Sequence, residues 1–225
     1  MFDFYIRSKE DLIKAIEEFG FVPFFKNSIE GFSIEEHVAP EVWFPDEGDG
    51  IWEWKGPTIR KSGCAYGKFF QNKAVFISKK YFPDFANFRR DGYDYDSRVD
   101  EGLANYREQN LYDLIDNNAP IISKKLKQIG GYGKDGKKGF DTLINNLQSQ
   151  CYVLISDFVY LTDKFSKPYG WGVAEYSTPE KLFGKDFTDA VYKSAPKDSY
   201  SIVKEHLEQM LPNATERQIE KILQR

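Results

Sequence analysis

Residues 136–161, GKKGFDTLINNLQSQCYVLISDFVYL, change their hydrophobic period half-way along, and that change decides the fold. In the first half Phe140, Leu143, Ile144 and Leu147 recur at helical spacing. From Cys151 onward the pattern turns strand-like. CYVLISDFVYL (151–161) and YGWGVAEYS (169–177) read as two strands joined by the polar turn TDKFSKP (162–168). Upstream, SKKLKQIGG (123–131) is a short helix capped by Ser123 and stopped by Gly130–Gly131, and 97–118 is helical in one or two pieces. Helix, short helix, longer helix, hairpin is the order of a winged helix-turn-helix. Helices this short do not stand alone in water, so the three must pack on one another and on the hairpin.

Working outward, SKEDLIKAIEEFG (8–20) is a helix with Ser8 as its cap, Asp11 in the box position and Gly20 as its stop. FVPFF breaks the pattern at Pro23. Residues 40–63 read as turn-rich, acidic around PDEGDG (45–50), and then carry IWEWKGP (51–57). KAVFIS (73–78) is a short strand, and Ser78 is placed to cap a helix through KKYFPDFANF (79–88). RRDGYDYD (89–96) reads as a loop. After the hairpin, STPE (Ser177 to Glu180) is a capping box that opens a helical C-terminal part, clearest in 198–211 and 215–225.

With 225 residues the chain has room for one large domain or two to three small ones, and it can bury a core. Aromatics are 16% of it, so that core should be ring-rich. The net charge of −4 excludes nucleic-acid binding by bulk charge; any such contact needs a local basic patch. Cys64 and Cys151 lie far apart with no C-x-x-C, and His37 and His206 complete no zinc set, so no metal is expected and both thiols should be reduced and buried. No run reaches the ~18 apolar residues of a membrane span and the start has no apolar signal region, which together point to a cytoplasmic protein. No internal repeat is visible in the residues.

GYGKDGKK (131–138) nearly matches the phosphate loop G-x-x-x-x-G-K-[ST], with Gly131, Gly136 and Lys137 in place. A true phosphate loop follows a buried strand and ends in a magnesium-holding hydroxyl. Here a lysine-studded helix precedes it and Lys138 stands at the hydroxyl position, so no nucleotide cofactor is expected. Amides and lysines at a helix start still favour phosphate. On the helix that follows, Lys138, Thr142, Asn145 and Ser149 form the stripe opposite the buried side, with the side-chain types that read base edges in a major groove. Between 119 and 170 there are eight Lys (124, 125, 127, 134, 137, 138, 164, 167) and four Asp, a local charge of +4 against −8 for the rest of the chain. The turn lysines Lys164 and Lys167 stand where a wing meets the sugar-phosphate backbone. Double-stranded DNA is therefore the expected partner. The bland alternative leaves these lysines solvated, or uses them for protein contacts.

Two other constellations stand out. In Trp52-Glu53-Trp54-Lys55, an extended chain would send both indoles one way and Glu53 with Lys55 the other. The rings would then serve as a stacking platform for an unpaired base, with Glu53 as acid or base, or would simply anchor an irregular loop. Arg89, Arg90, Asp91, Asp94 and Asp96 crowd one eight-residue stretch that would hold phosphate or pair internally; its spacing is not that of a calcium loop. Glu53, Lys55 and Asp94 are the candidate catalytic groups, and Trp52, Trp54, Arg89 and Arg90 the candidate pocket.

FGFVPFF (19–25), GFSIEEH (31–37), WEWKGP (52–57), YGKFF (66–70), RRDGYDYD (89–96), GFDTLINNLQSQCYVLISDF (139–158) and YGWGVAEYSTPE (169–180) together resemble the small bacterial AlkZ-related proteins, distant relatives of the AlkZ winged-helix DNA glycosylases. The resemblance implies tandem winged-helix units and a role around DNA or its repair. The glycosylases carry a Gln-x-Gln or Gln-x-Asp motif that positions water; the comparable stretch here, GFVPFF, supplies neither residue. Gln148-Ser149-Gln150 has the spacing but ends the reading helix. The expectation is an α+β protein with an aromatic N-terminal region (1–105), a winged helix-turn-helix (106–177) and a helical extension (178–225). It should bind DNA, the alternatives being a divergent glycosylase and a protein-interaction scaffold.

Overall fold

The computed structural model describes residues 5–224, apart from the side chain of Pro168. α1 (Lys9–Phe19) starts at the predicted box: the Ser8 hydroxyl accepts from the Asp11 amide at 3.1 Å and the Asp11 carboxylate accepts from the Ser8 amide at 2.9 Å. Gly20, at φ +77°, ends it. There follow β1 (Phe21–Pro23), the single turns α2 (Ile34–His37) and α3 (Pro40–Trp43), α4 (Ile51–Ser62), β2 (Ala65–Phe70) and β3 (Lys73–Ile77). The sheet order is β1-β3-β2, all antiparallel. Gln71 and Asn72 turn the β2–β3 hairpin at φ +50° and +60°, the left-handed pair that matches strand twist in two-residue turns.

α5 (Phe82–Arg90) and α6 (Tyr95–Asp100) lead to a second unit: α7 (Tyr106–Asn118), β4 (Ile121–Ile122), α8 (Ser123–Ile129), α9 (Phe140–Ser149), β5 (Leu154–Thr162) and β6 (Pro168–Ser177). Its sheet order is β4-β6-β5, again with the first strand beside the last. The chain then closes with α10 (Pro179–Phe183), α11 (Lys185–Val191), α12 (Pro196–Met210) and α13 (Glu216–Leu223). The protein is α+β, and it twice runs helix, strand, one or two short helices, helix and hairpin. That repeat has no counterpart in residue identity, which is why the sequence shows none.

The two units interlock. α4 packs on β5, α9 packs on β2, and β2 lies against β5, so the helix that precedes the hairpin in each unit rests on the hairpin of the other. Phe21, Phe69, Phe70, Phe82 and Phe85 form a network of ring contacts at 5.8–6.1 Å, the ring-rich core the composition predicts. α12 lies along α5, where the Asn87 side-chain amide donates to the Ser199 hydroxyl at 3.0 Å and to the Ser194 carbonyl at 2.8 Å. Both cysteines are buried and free, and burial pushes the Cys64 thiol up to about 12. Among the described residues no helix is long and apolar enough to cross a membrane.

Several local expectations are corrected. Residues 51–62 form a helix, not an irregular or extended segment: Glu53 reaches back to the Gly50 amide at 3.0 Å, and Gly63, at φ +64°, closes it. This cap outweighs the turn signals of PDEGDG and Pro57. Arg89 and Arg90 belong to α5, and only 91–94 form a loop. The N-caps of α5, α8 and α10 are Tyr81, Ile122 and Thr178 rather than Ser78, Ser123 and Ser177, and none of the three has a side-chain cap bond.

Candidate nucleic-acid interface

α9 buries Phe140, Leu143, Ile144 and Leu147, as their spacing requires, and also Gln148. The Gln148 side-chain oxygen accepts from the Lys68 amide of β2 at 3.2 Å, so this residue ties the two units together and faces no solvent. On the remaining surface Thr142 is exposed and Asn145, Asn146, Ser149 and Gln150 are half-buried. The predicted outer stripe therefore meets solvent at its start and thins toward its end, where β2 and the Gln71–Asn72 turn approach. Asn146 and Gln150 are both oriented by Glu108 of α7, at 2.8 and 3.5 Å.

The glycine loop does not form a phosphate cradle of amides. The Lys137 amide donates to the Gly131 carbonyl at 2.8 Å, and Lys138 Nζ donates to the carbonyls of Gly133 and Lys134, at 3.2 and 2.5 Å. Gly136 sits against the Gly131 carbonyl, where any β carbon would collide. The loop folds onto its own oxygens and leaves lysine stems outside. Lys134, Lys137 and Lys138 are all exposed on it. Lys137 lies over the Tyr132 ring at 5.8 Å. Arg107, from the start of α7, donates to the Lys138 carbonyl beside Gly139, adding a guanidinium at the start of α9 that spacing could not reveal.

Lys124 and Lys125 are exposed on α8. Lys127 is half-buried instead, stacked on Phe140 at 4.7 Å and paired with Asp141 at 3.5 Å, so it neutralises the acid at the helix start. Lys164 and Lys167 are exposed on the β5–β6 turn, whose shape is held by Asp163: its carboxylate accepts from the amides of Phe165 and Lys167 at 2.8 and 3.0 Å. Phe165, Tyr169 and Trp171 are exposed on the same hairpin.

One neighbouring feature has no signal in the sequence. Phe69, Gln71 and Asn72 of the first unit, Arg98 of α6, and Asn146, Ser149 and Gln150 of α9 line an open polar cleft of about 510 Å³. Its walls come from three segments that only the tertiary fold brings together.

Most of the candidate catalytic and pocket groups are spoken for. Glu53 caps α4. Asp94 caps α6, accepting from the Ser97 amide at 2.7 Å. Arg89 and Arg90 are wholly buried: Arg89 donates to the Phe69 carbonyl at 2.8 Å, and Arg90 binds Glu180 at 2.6 Å, the Tyr192 hydroxyl at 2.8 Å and the Cys151 carbonyl at 2.8 Å. They join segments of the fold and offer nothing to a ligand. Trp54 is half-buried, on a helix rather than a strand, so it does not share a face with Trp52. Trp52 instead shares its face with Lys55, whose ammonium lies over the rings of Phe158 at 4.1 Å, Trp52 at 4.9 Å and Phe24 at 5.7 Å. Burial among these rings brings the Lys55 amine down to about 8. Among the described residues no group of His, Cys, Asp and Glu is arranged to hold a metal ion.

A family model described as AlkZ related matches residues 6–224, both units and the C-terminal helices included. The chain belongs to the AlkZ-related family. No curated protein and no solved structure matches it. In this AlkZ-related protein GFVPFF is core: Phe21, Val22 and Phe24 are fully buried in and beside β1, and none of these side chains could position a water.

Proposed function

We propose that this AlkZ-related protein binds double-stranded DNA through its second unit, acting as a winged helix-turn-helix, and that its first unit is a second winged helix packed against it. The observation that carries the reading is the outer surface of α9, which keeps Thr142 exposed and Asn145 and Ser149 half-exposed and follows directly on a loop with Lys134, Lys137 and Lys138 exposed. Exposed lysines stand on the 134–138 loop that leads into α9 and on the β5–β6 turn. A helix so placed lays small polar groups on base edges while the ammonium groups meet phosphates. The cleft beside Asn146 and Gln150 extends the contact to Gln71, Asn72 and Arg98.

A hydrolytic glycosylase is the weaker reading, because Glu53 and Asp94 are both engaged as helix caps. A pure scaffold is weaker too, because the lysines of the 134–138 loop and of the β5–β6 turn stay exposed. Fluorescence anisotropy with a labelled duplex tests the proposal. Binding at low salt, with affinity falling as roughly 0.9 powers of salt concentration per neutralised phosphate, is the expected result. No binding to any duplex at low ionic strength would overturn it.

A further inference from the structure

Lys55 is the one candidate catalytic group with no structural duty as a cap. Among the described residues its ammonium has no hydrogen bond and no carboxylate within ion-pair distance; it has three aromatic faces instead. A cation held over rings is stabilised by them, but removing it from water favours the neutral amine more. With the group brought down to about 8, about a tenth of it is unprotonated at pH 7, against less than a thousandth for an ordinary lysine near 10.4. A desolvated, unprotonated lysine is a nucleophile toward carbonyl carbon.

Its surroundings name the carbonyl. Phe158 lies midway along β5, opposite Ala174 of β6, so the amine stands against the middle of the hairpin whose turn carries Lys164 and Lys167. Trp171 and Phe44, 68% and 65% exposed, both pack on Trp52, at 6.2 and 6.1 Å, and form the solvent side of the cluster. Flat exposed rings suit a gap in a base stack. The aldehyde that DNA presents to an amine is C1′ of a ring-opened deoxyribose that has lost its base.

Resting on the DNA-binding reading above, we propose that Lys55 captures abasic sites in duplex DNA as an imine at C1′. The neutral amine adds its lone pair to the aldehyde carbon, and the carbonyl oxygen takes up a proton as the amine nitrogen loses one. Loss of that oxygen as water leaves a C=N bond, with no oxidant or reductant needed. Ring contacts from Phe44 and Trp171 fill the space of the missing base.

Borohydride trapping tests it. The full chain is mixed with a duplex carrying one abasic deoxyribose, made by removing uracil, and with the intact duplex, and is then reduced. The expected result is a covalent adduct with the abasic duplex alone. Lys55→Arg keeps a cation over the rings but has no amine, and should lose the adduct at least tenfold while melting at the wild-type temperature. Adduct formed equally by Lys55→Arg would overturn the assignment to this residue. Duplex binding by anisotropy without adduct would overturn the imine and leave the DNA reading standing; absence of both would overturn both.

Discussion

Gly56 of α4 lies directly against the carboxylate of Asp157 on β5, so close that a β carbon on the glycine would collide with it. The carboxylate is not free to give way. Arg60, one turn along, holds both of its oxygens, and the Phe158 amide donates to it at 2.8 Å. This contact is one of those that join the two units, and it explains why WEWKGP carries a glycine inside a helix.

Gly56→Ala therefore sets two effects against each other. Helix propensity favours alanine by about 1 kcal/mol, while overpacking at a held contact costs about 1–3 kcal/mol. The contact should win, and urea unfolding should show a lower midpoint. A stabilised variant would mean that the units part easily at this point.

Arg90 gives the larger effect. Arg90→Met should cost about 3–5 kcal/mol, since Glu180 and the Cys151 carbonyl lose a wholly buried partner. Adding Glu180→Met to that variant should recover part of the loss, because no unpaired charge then remains. A double variant as unstable as the single one would show that the arginine acts through packing, on Tyr152 at 4.7 Å and Phe187 at 5.3 Å, and not through its charge.

His206 sets a pH dependence. It stacks on Tyr81 at 3.9 Å, bonds the Phe19 carbonyl at 2.9 Å and faces Phe21, with Lys80 close by. Burial holds its pKa below the usual histidine value, against the pull of the Phe19 bond. The unfolded chain then binds a proton near pH 6.5 that the native ring refuses. The stability from this site is complete above that pH and is lost as pH falls toward the lower native pKa. Thermal melting between pH 7 and pH 5 should fall less steeply for His206→Gln; equal slopes would exclude the site.

The DNA reading separates positioning from reading residues. Lys134→Glu with Lys164→Glu and Lys167→Glu should weaken all duplexes alike and flatten the salt slope by about 0.9 for each phosphate that no longer meets a lysine. Thr142→Ala with Asn145→Ala should leave that slope in place and reduce discrimination among duplex sequences. Anisotropy across a salt series with several duplexes measures both. A slope unchanged by the triple variant would remove the wing and loop from the interface.

What the residues determined by themselves was local. The period change at Cys151, the Ser8 box and the burial of both cysteines follow from side-chain spacing and chemistry acting within a few residues, and each is found in the fold. The helix at 51–62 was hidden because its cap is a backbone amide of Gly50 bonded to Glu53, and glycine at that point reads as a turn. The fates of Arg89 and Arg90 were not legible either, because the partners of Arg90 at Glu180, Tyr192 and Cys151 lie 61 to 102 residues away. Only tertiary structure decided that Gln148 is glue, that Gly56 meets Asp157, and that Lys55 lies among rings from three segments. Those properties depend on which surfaces meet, and a surface meeting carries no periodic trace in the chain that makes it.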